Sequence, residues 1–297
     1  MRVALLLSSL LLLPLSLSAA EKLKVVASFS ILADMAHQIG GEHVQVVSLV
    51  GPDQAAQGFK PTAEDAKKLA QANVIIQNGL GYEPWMERLI ARSGTRTPVI
   101  TVSNGVTPRT WDIDGKTVLD PHAWQSVADA ELYVNNIVTA LSAADPTHEN
   151  AYISGGKAYT KQLHSLIADA HAKIGLIPSG TLPPGSRRFV ISHNAFGYLS
   201  RSYQIEFLTA QGAPAEAVPT AEQVDSLLAK IHEGKAKAVL LDNTQAPDQL
   251  RKIADKSGLP VKGTLYLDAL SANGQASTFV GMYQANINTL RDALSQP

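Results

Sequence analysis

The sequence predicts an α/β protein: two lobes with mainly parallel sheets, bridged by one long α-helix. Three observations predict it. Short β-branched runs alternate with capped helical segments from residue 24 to residue 102, the pattern of βαβ units. A single helical pattern then runs over 146–174, longer than an ordinary globular helix. After it the strand–helix alternation restarts at residue 189. The implied partition is a signal peptide over 1–20, an N-terminal α/β lobe over 21–144, a linking helix over 145–176 and a C-terminal α/β lobe over 177–297.

Residues 24–29 (KVVASF) form the first strand. Ser30 is placed to cap a helix that runs to Ile39 and stops at Gly40-Gly41. A second strand covers 44–50 (VQVVSLV), followed by a polar loop over 51–61. Thr62 and Asp65 have capping-box spacing and open a helix to about Gln71. Short strands follow at 74–77 and 99–102. Asp145-Pro146 reads as an N-cap with proline in the first helical position. Beyond it, Tyr152, Tyr159, Leu163, Leu166, Ile167 and Ile174 recur at helical spacing, with Gly155-Gly156 the one sequence feature able to interrupt them. Residues 178–188 are a loop, and strands are expected at 189–192, 204–208, 238–241 and 261–263. Pro-Thr-Ala-Glu occurs at 61–64 and again at 219–222, each time before a helix that leads to a strand, a faint echo of two lobes of like design.

The chain has 297 residues, 45% hydrophobic and 17% charged, with a formal net charge of −1 and no cysteine. That is the composition of a folded protein with a substantial core. No charge run resembles a nucleic-acid arm or a membrane patch, so neither nucleic acid nor an anionic bilayer is an expected partner. Without cysteine, disulfides, thiolate zinc sites, iron–sulfur clusters and a lipid anchor on a cleavage-site cysteine are not expected. Any metal must be held by His, Asp, Glu or neutral oxygens. At the N-terminus, Arg2, an apolar run over 3–17 and Ser18-Ala19-Ala20 read as a secretory signal cleaved after Ala20. The run is short of the ~20 residues of a spanning helix. A soluble exported protein is expected, periplasmic in a Gram-negative source.

Of eight histidines, His37, His43, His148, His164, His171 and His232 sit on helices or at helix ends, where surface or capping roles suffice. His122 lies in the turn Asp120-Pro121-His122-Ala123-Trp124, and His193 directly follows a buried strand. Asp268 follows the strand near Val261. Ligands in open α/β sheets bind beyond the carboxyl ends of strands, and two imidazoles with a carboxylate are zinc-type donors. The three are 71 and 75 residues apart, a spacing that by itself carries almost no information. No nucleophile elbow, Walker loop, H-E-x-x-H or complete G-x-G-x-x-G is present. Gly79-Leu80-Gly81 lacks the third glycine, and Trp85, Trp111 and Trp124 read as core or lobe-interface residues.

Ser28-Phe29-Ser30-Ile31-Leu32-Ala33-Asp34, Asn78-Gly79-Leu80-Gly81-Tyr82-Glu83-Pro84-Trp85, the Asp120–Trp124 turn, Ser192-His193-Asn194-Ala195-Phe196-Gly197-Tyr198 and Tyr266-Leu267-Asp268-Ala269-Leu270-Ser271 occur in an order that resembles the metal-specific solute-binding proteins of bacterial zinc and manganese uptake transporters, the TroA-like cluster A-I family. The resemblance spans nearly the whole chain beyond residue 20. It implies two α/β lobes, a long bridging helix and a metal cleft between the lobes. It places three of the family's four metal ligands on His122, His193 and Asp268. The first in chain order does not carry over. The family pattern D-A-H-x-[FY]-x-P-T is Ala55-Ala56-Gln57-Gly58-Phe59-Lys60-Pro61-Thr62 here, with Gln57 in the histidine position. Asn194 stands where the family usually has Asp, and no His-rich loop lies between Thr107 and Asp120.

The function this implies is a monomeric, exported solute-binding protein and not an enzyme. It captures Zn²⁺, with Mn²⁺ as the alternative, and delivers it to the membrane permease of an ABC transporter. His193 favours zinc, because the manganese branch tends to carry a carboxylate there and Mn²⁺ prefers oxygen donors. The fourth ligand is Gln57 or water. Two other readings are a protein of this fold adapted to manganese, iron or an accessory role, and a zinc hydrolase using the open position, for which no general base is evident.

Overall fold

The computed structural model describes residues 21–113, 115–175, 187–210, 219–234, 236–244 and 247–295. The signal sequence expected over 1–20, most of the loop expected over 178–188 and part of the segment before the second Pro-Thr-Ala-Glu lie outside them.

Four strands, β1 (Leu23–Phe29), β2 (Val44–Val50), β3 (Val74–Gln77) and β4 (Val99–Thr101), pair in the order β2-β1-β3-β4, all parallel. The second sheet holds β7 (Arg188–Val190), β8 (Glu206–Leu208), β9 (Ala238–Asp242) and β10 (Val261–Leu265) in the order β10-β9-β7-β8, again parallel. Renumbered within each sheet, the two orders are the same. Each therefore has its switch point between its first and third strands, the place where open sheets receive ligands. The Pro-Thr-Ala-Glu echo falls on this equivalence. It starts α2 (Ala63–Gln71) before β3 and α7 (Ala221–Gly234) before β9. Both starts are reciprocal capping boxes, Thr62 with Asp65 and Thr220 with Gln223.

The remaining helices are α1 (Ser30–Gly40), α3 (Met86–Ser93), α4 (Val127–Ala144), α5 (Glu149–Ala170), α6 (Gly197–Tyr203), α8 (Pro247–Ser257) and α9 (Phe279–Ser295). The long helical segment is present, but not uniform. A 3₁₀ turn at Pro146–His148 leads into α5, and a π turn at His171–Gly175 ends it. Asp145 holds the expected N-cap position of the 3₁₀ turn, with Pro146 in its first turn, but its side chain makes no capping bond: the carboxylate takes His148 Nδ1 at 2.6 Å and the Tyr152 hydroxyl at 2.7 Å. Ser30 is the first helical residue and not the cap. Its hydroxyl accepts the N–H of Leu270, 240 residues away. The sequence reading did not foresee an antiparallel hairpin, β5 (Thr110–Ile113) and β6 (Lys116–Leu119).

The Gly155-Gly156 pair does not break α5. A Cβ on Gly155 would overlap the carbonyl oxygen of Ile39 on α1, and one on Gly156 would overlap Val138 on α4. The glycines let three helices approach closely where any side chain would hold them apart. Gly155→Ala adds helix propensity worth roughly 1 kcal/mol but overpacks against backbone that cannot yield, at about 1–3 kcal/mol or more. The expected net result is a lower midpoint in urea unfolding, and an unchanged or raised midpoint would refute this packing account.

One apolar core runs through both halves. It includes Val25, Ile75 and Phe29 around the first sheet, Tyr152 and Leu163 of α5, and Phe189, Leu265 and Leu290 around the second. A smaller cluster, with Val190, Val239, Leu227, Ile231 and Ile253, lies between the second sheet and α7 and α8. α5 packs on α1, α4 and α9, so the connecting helix is built into the body of the molecule.

Candidate metal centre

His122, His193 and Asp268 meet. Their ligand atoms all lie within 4.8 Å of one another, and each residue is 0% exposed. His193 follows β7, while Asp268 stands three residues beyond β10. His122 begins a 3₁₀ turn (Ala123–Gln125) after the hairpin. The chain separations of 71 and 75 residues are thus closed by topology.

Each imidazole is oriented from behind. The Asp120 Oδ1 atom accepts both the backbone N–H of His122 (3.0 Å) and its Nδ1–H (2.9 Å). Behind His193, Ser192 donates its hydroxyl to Asp242 Oδ2 (2.6 Å) and stands 3.0 Å from His193 Nδ1, so Nδ1–H donates to Ser192 Oγ. Asp242 ends β9 and also accepts from the N–H and hydroxyl of Thr244. Both rings therefore carry the proton on Nδ1 and turn Nε2 forward, the arrangement that prepares histidine for a metal. His122 Nε2 faces Asp268 Oδ1 at 3.4 Å and His193 Nε2 faces Oδ2 at 3.0 Å, without hydrogen-bond alignment. These four atoms are buried and have no hydrogen-bond partner, a costly condition for polar groups. Ligand atoms around a tetrahedral zinc with ~2.0–2.1 Å bonds stand about 3.3 Å apart, close to both distances. The donor set fits a divalent transition metal.

Electrostatics hold the cluster together without a metal. Burial alone would lower the His122 pKa, but the hydrogen bond to Asp120 and the close negative charges of Asp268 and Asp120 outweigh it and raise it to about 9. Burial alone would raise Asp268, but the charge of His193 and the contacts of both imidazoles hold its carboxyl well below the usual range. Burial also pushes Asp242 upward against the opposing His193 charge.

The surrounding motifs are scaffolding for these residues. Leu267 O accepts Trp124 Nε1 (3.0 Å) and Gln125 Nε2 (2.6 Å), which fixes the chain just before Asp268. Asn78 donates to Pro121 O beside His122 and accepts from the Tyr133 hydroxyl. Glu83 folds back to accept from Ser28 and from the N–H groups of Asn78 and Gly79. Gly79-Leu80-Gly81, all three at positive φ, is thus a tight turn around a carboxylate and not a phosphate loop. Gly197 is required because a Cβ there would lie 2.6 Å from Asp120 Oδ2 and 2.9 Å from Arg109 Nε. Trp85 and Trp124 are buried as expected. Trp111 is half-buried on the hairpin, its ring centre 5.9 Å from that of His122.

Gln57 is 9% exposed. Its loop is pinned by Trp85 Nε1 to Ala56 O at 2.6 Å, and by Asp53, whose N–H and carboxylate bond Leu270 O, the Ala272 N–H and Asn243 Nδ2. The other histidines lie apart from the centre: His148 stacks on His43 at 4.1 Å, His164 pairs with Glu131 at 2.9 Å, and His171 packs on Tyr203. Sequence reasoning missed Asp120, Ser192 and Asp242 as partners of the histidines. The signal for Asp242 was its place at the end of an apolar strand, VLLD, beside the second switch point.

A family profile described as the periplasmic zinc-uptake complex component A, ZnuA, matches residues 25–293. The manganese-binding lipoprotein MntA of Bacillus subtilis is 32% identical over 286 residues, covering 93% of this chain and 91% of its own. The iron-binding protein YfeA of Yersinia pestis is 29% identical over 283 residues, covering 93% and 88%. Among solved structures, the periplasmic zinc-binding protein TroA of Treponema pallidum superposes with a TM-score of 0.84 at 27% identity, covering 93% of this chain and all of its own. The Mn-bound periplasmic metal-binding protein of Candidatus Liberibacter asiaticus gives 0.81 at 26% identity, with 92% and 100% covered. A profile match over 25–293 and a 32% identical relative along nearly the full length establish that the chain belongs to the ZnuA family of metal-binding solute-binding proteins of ABC transporters.

Proposed function

We propose that this protein captures a single divalent transition metal, zinc in preference to manganese or iron, through His122, His193 and Asp268, and passes it to the membrane permease of an ABC uptake system. The observation that carries this reading is the convergence of four buried, unpartnered donor atoms on one point. Two imidazoles and one carboxylate suit zinc, whereas Mn²⁺ is better served by oxygen donors. Relatives named for zinc, manganese and iron support a metal cargo. The reading takes 21–144 and 177–297 as the two lobes, joined by 145–176, and places the protein in the periplasm after cleavage of the signal sequence over 1–20.

The test is a competition titration of metal-stripped protein with Zn²⁺, Mn²⁺ and Fe²⁺ at several pH values. The expected result is about one zinc per chain, tighter than the other two, and loss of binding in His193→Ala. Zinc must displace the proton that His122 holds below about 9. Apparent affinity therefore rises with pH, approaching tenfold per unit between 7 and 9, and levels off above 9. Tighter manganese binding, or zinc binding indifferent to His193, would overturn the zinc assignment.

A further inference from the structure

The three ligand side chains are 0% exposed, so a metal ion cannot reach or leave them unless something moves. Most of what surrounds them is tied down. The Asp268 segment is bonded on both sides, through Leu267 O to Trp124 and Gln125 and through the Leu270 N–H to Ser30. The Gln57 loop is held by Asp53 to Leu270, Ala272 and Asn243, and by Ala56 to Trp85. The core is continuous through both halves.

The hairpin is the exception. β5 and β6 pair only with each other, and neither sheet extends to them. All of β6 is exposed, with Val118 and Leu119 presenting apolar side chains to solvent. Among the described residues no hydrogen bond joins 110–119 to the rest of the chain. An isolated two-stranded hairpin is marginal in water. Its anchorage is the neck: the Asp120 N–H donates to Arg109 O (2.8 Å), and the Tyr198 hydroxyl accepts the Arg109 N–H (3.0 Å) and donates to Asp120 O (3.1 Å). Beyond this neck, Trp111 lays its indole against His122 at 5.9 Å, tilted 42°, and its buried Nε1–H has no partner. Among the described Trp and Tyr rings beside this imidazole, Trp124 at 5.2 Å and Tyr82 at 5.9 Å hydrogen-bond to the chain at Leu267 and Asp268, whereas no hydrogen bond of the indole holds Trp111 in place.

We propose that the β5–β6 hairpin is the gate of the metal centre, swinging on the Arg109–Asp120 neck, and that Trp111 is the side chain that closes it over His122. The assignment rests on the metal-binding reading above. A gate changes the rates of arrival and departure together and leaves the equilibrium alone, whereas a residue that merely positions His122 alters departure and affinity.

Zinc arrival is followed by stopped-flow mixing with metal-stripped protein. Departure is followed by mixing zinc-loaded protein with excess chromogenic chelator. In Trp111→Ala both rates are expected to rise by about tenfold or more, with Kd within about threefold of the parent, and Trp111→Phe should restore slow exchange in large part. Unchanged rates in Trp111→Ala, or faster departure with unchanged arrival and weakened Kd, would overturn the gate. The Phe variant keeps an aromatic cover, so a fault in folding cannot imitate the expected pair of results. A parent protein that binds no zinc would instead refute the metal-binding reading, which the equilibrium measurement reports separately.

Discussion

Asp268→Asn is expected to abolish high-affinity zinc binding while leaving the fold intact. The amide keeps the size of the side chain but removes the single negative charge that faces both Nε2 atoms at 3.0 and 3.4 Å. Losing a residue that supports a ligand costs about 10–100-fold in metal affinity, and losing a charged ligand itself should cost more. The metal-free protein should change as well. In the parent, His122 titrates at about 9 against an ordinary 6.5, and Asp268 is depressed. A raised histidine contributes stability that is fully present below about 6.5 and lost as pH rises through 9. A depressed carboxylate contributes stability present above its ordinary value and lost as pH falls through the lowered one. Metal-free parent protein should therefore weaken between pH 6.5 and 9, and Asp268→Asn should show a flatter profile there. Breaking a buried pair costs about 3–5 kcal/mol when the survivor stays charged. Here His122 can release its proton, so the loss in the variant should be smaller. Urea unfolding across pH, with and without zinc, reads both effects. A variant with parental zinc affinity would remove Asp268 from the site.

What the sequence made legible, and what it hid, divides along the range of the interactions. Strands β2 and β3 fall on the residues where apolar runs predicted them, and the Thr62–Asp65 box forms as its spacing implies, because these features are decided within a few residues. Ser30 and Asp145 have the right chemistry for caps, yet Leu270 in one case and His148 with Tyr152 in the other claim their side chains. A tertiary partner outbids a local one, and local pattern carries no record of it. The two strands of the hairpin are four residues each and mostly exposed, so neither strong alternation nor an apolar run marked them. Gly155-Gly156 showed as an interruption, although its reason lies on two other helices. His122, His193 and Asp268 could be singled out by residue type and by resemblance, but their meeting depends on strand order. Asp242 comes to stand behind His193 by that same order, a property of the folded sheet alone, whereas Asp120 lies only two residues before His122 and its role depends on the fold of that turn.

Gln57→His is expected to tighten zinc binding by at least ~10–100-fold, the scale of supporting residues in zinc sites, since the change adds a donor to the metal itself. Position 57 is the one at which the resemblance places an imidazole, and the side chain here is 9% exposed. The loop is aimed by its neighbours. Trp85 Nε1 holds Ala56 O at 2.6 Å, and the Tyr82 hydroxyl donates to Asp268 O at 3.5 Å. One residue beyond Ala56, a histidine would join His122 and His193 to make three nitrogens and one carboxylate, a closed tetrahedral set. Because the added donor is nitrogen, zinc should gain more than manganese, and the zinc-to-manganese preference should widen. Gln57→Ala identifies what serves as the fourth ligand in the parent. A loss of tenfold or more means that the amide oxygen coordinates, and a negligible loss means that water does. Competition titrations of the two variants against the parent give both answers. If Gln57→His leaves zinc affinity unchanged, the loop does not present position 57 to the metal, and the centre works with the three ligands that the second sheet and the turn at His122 bring together.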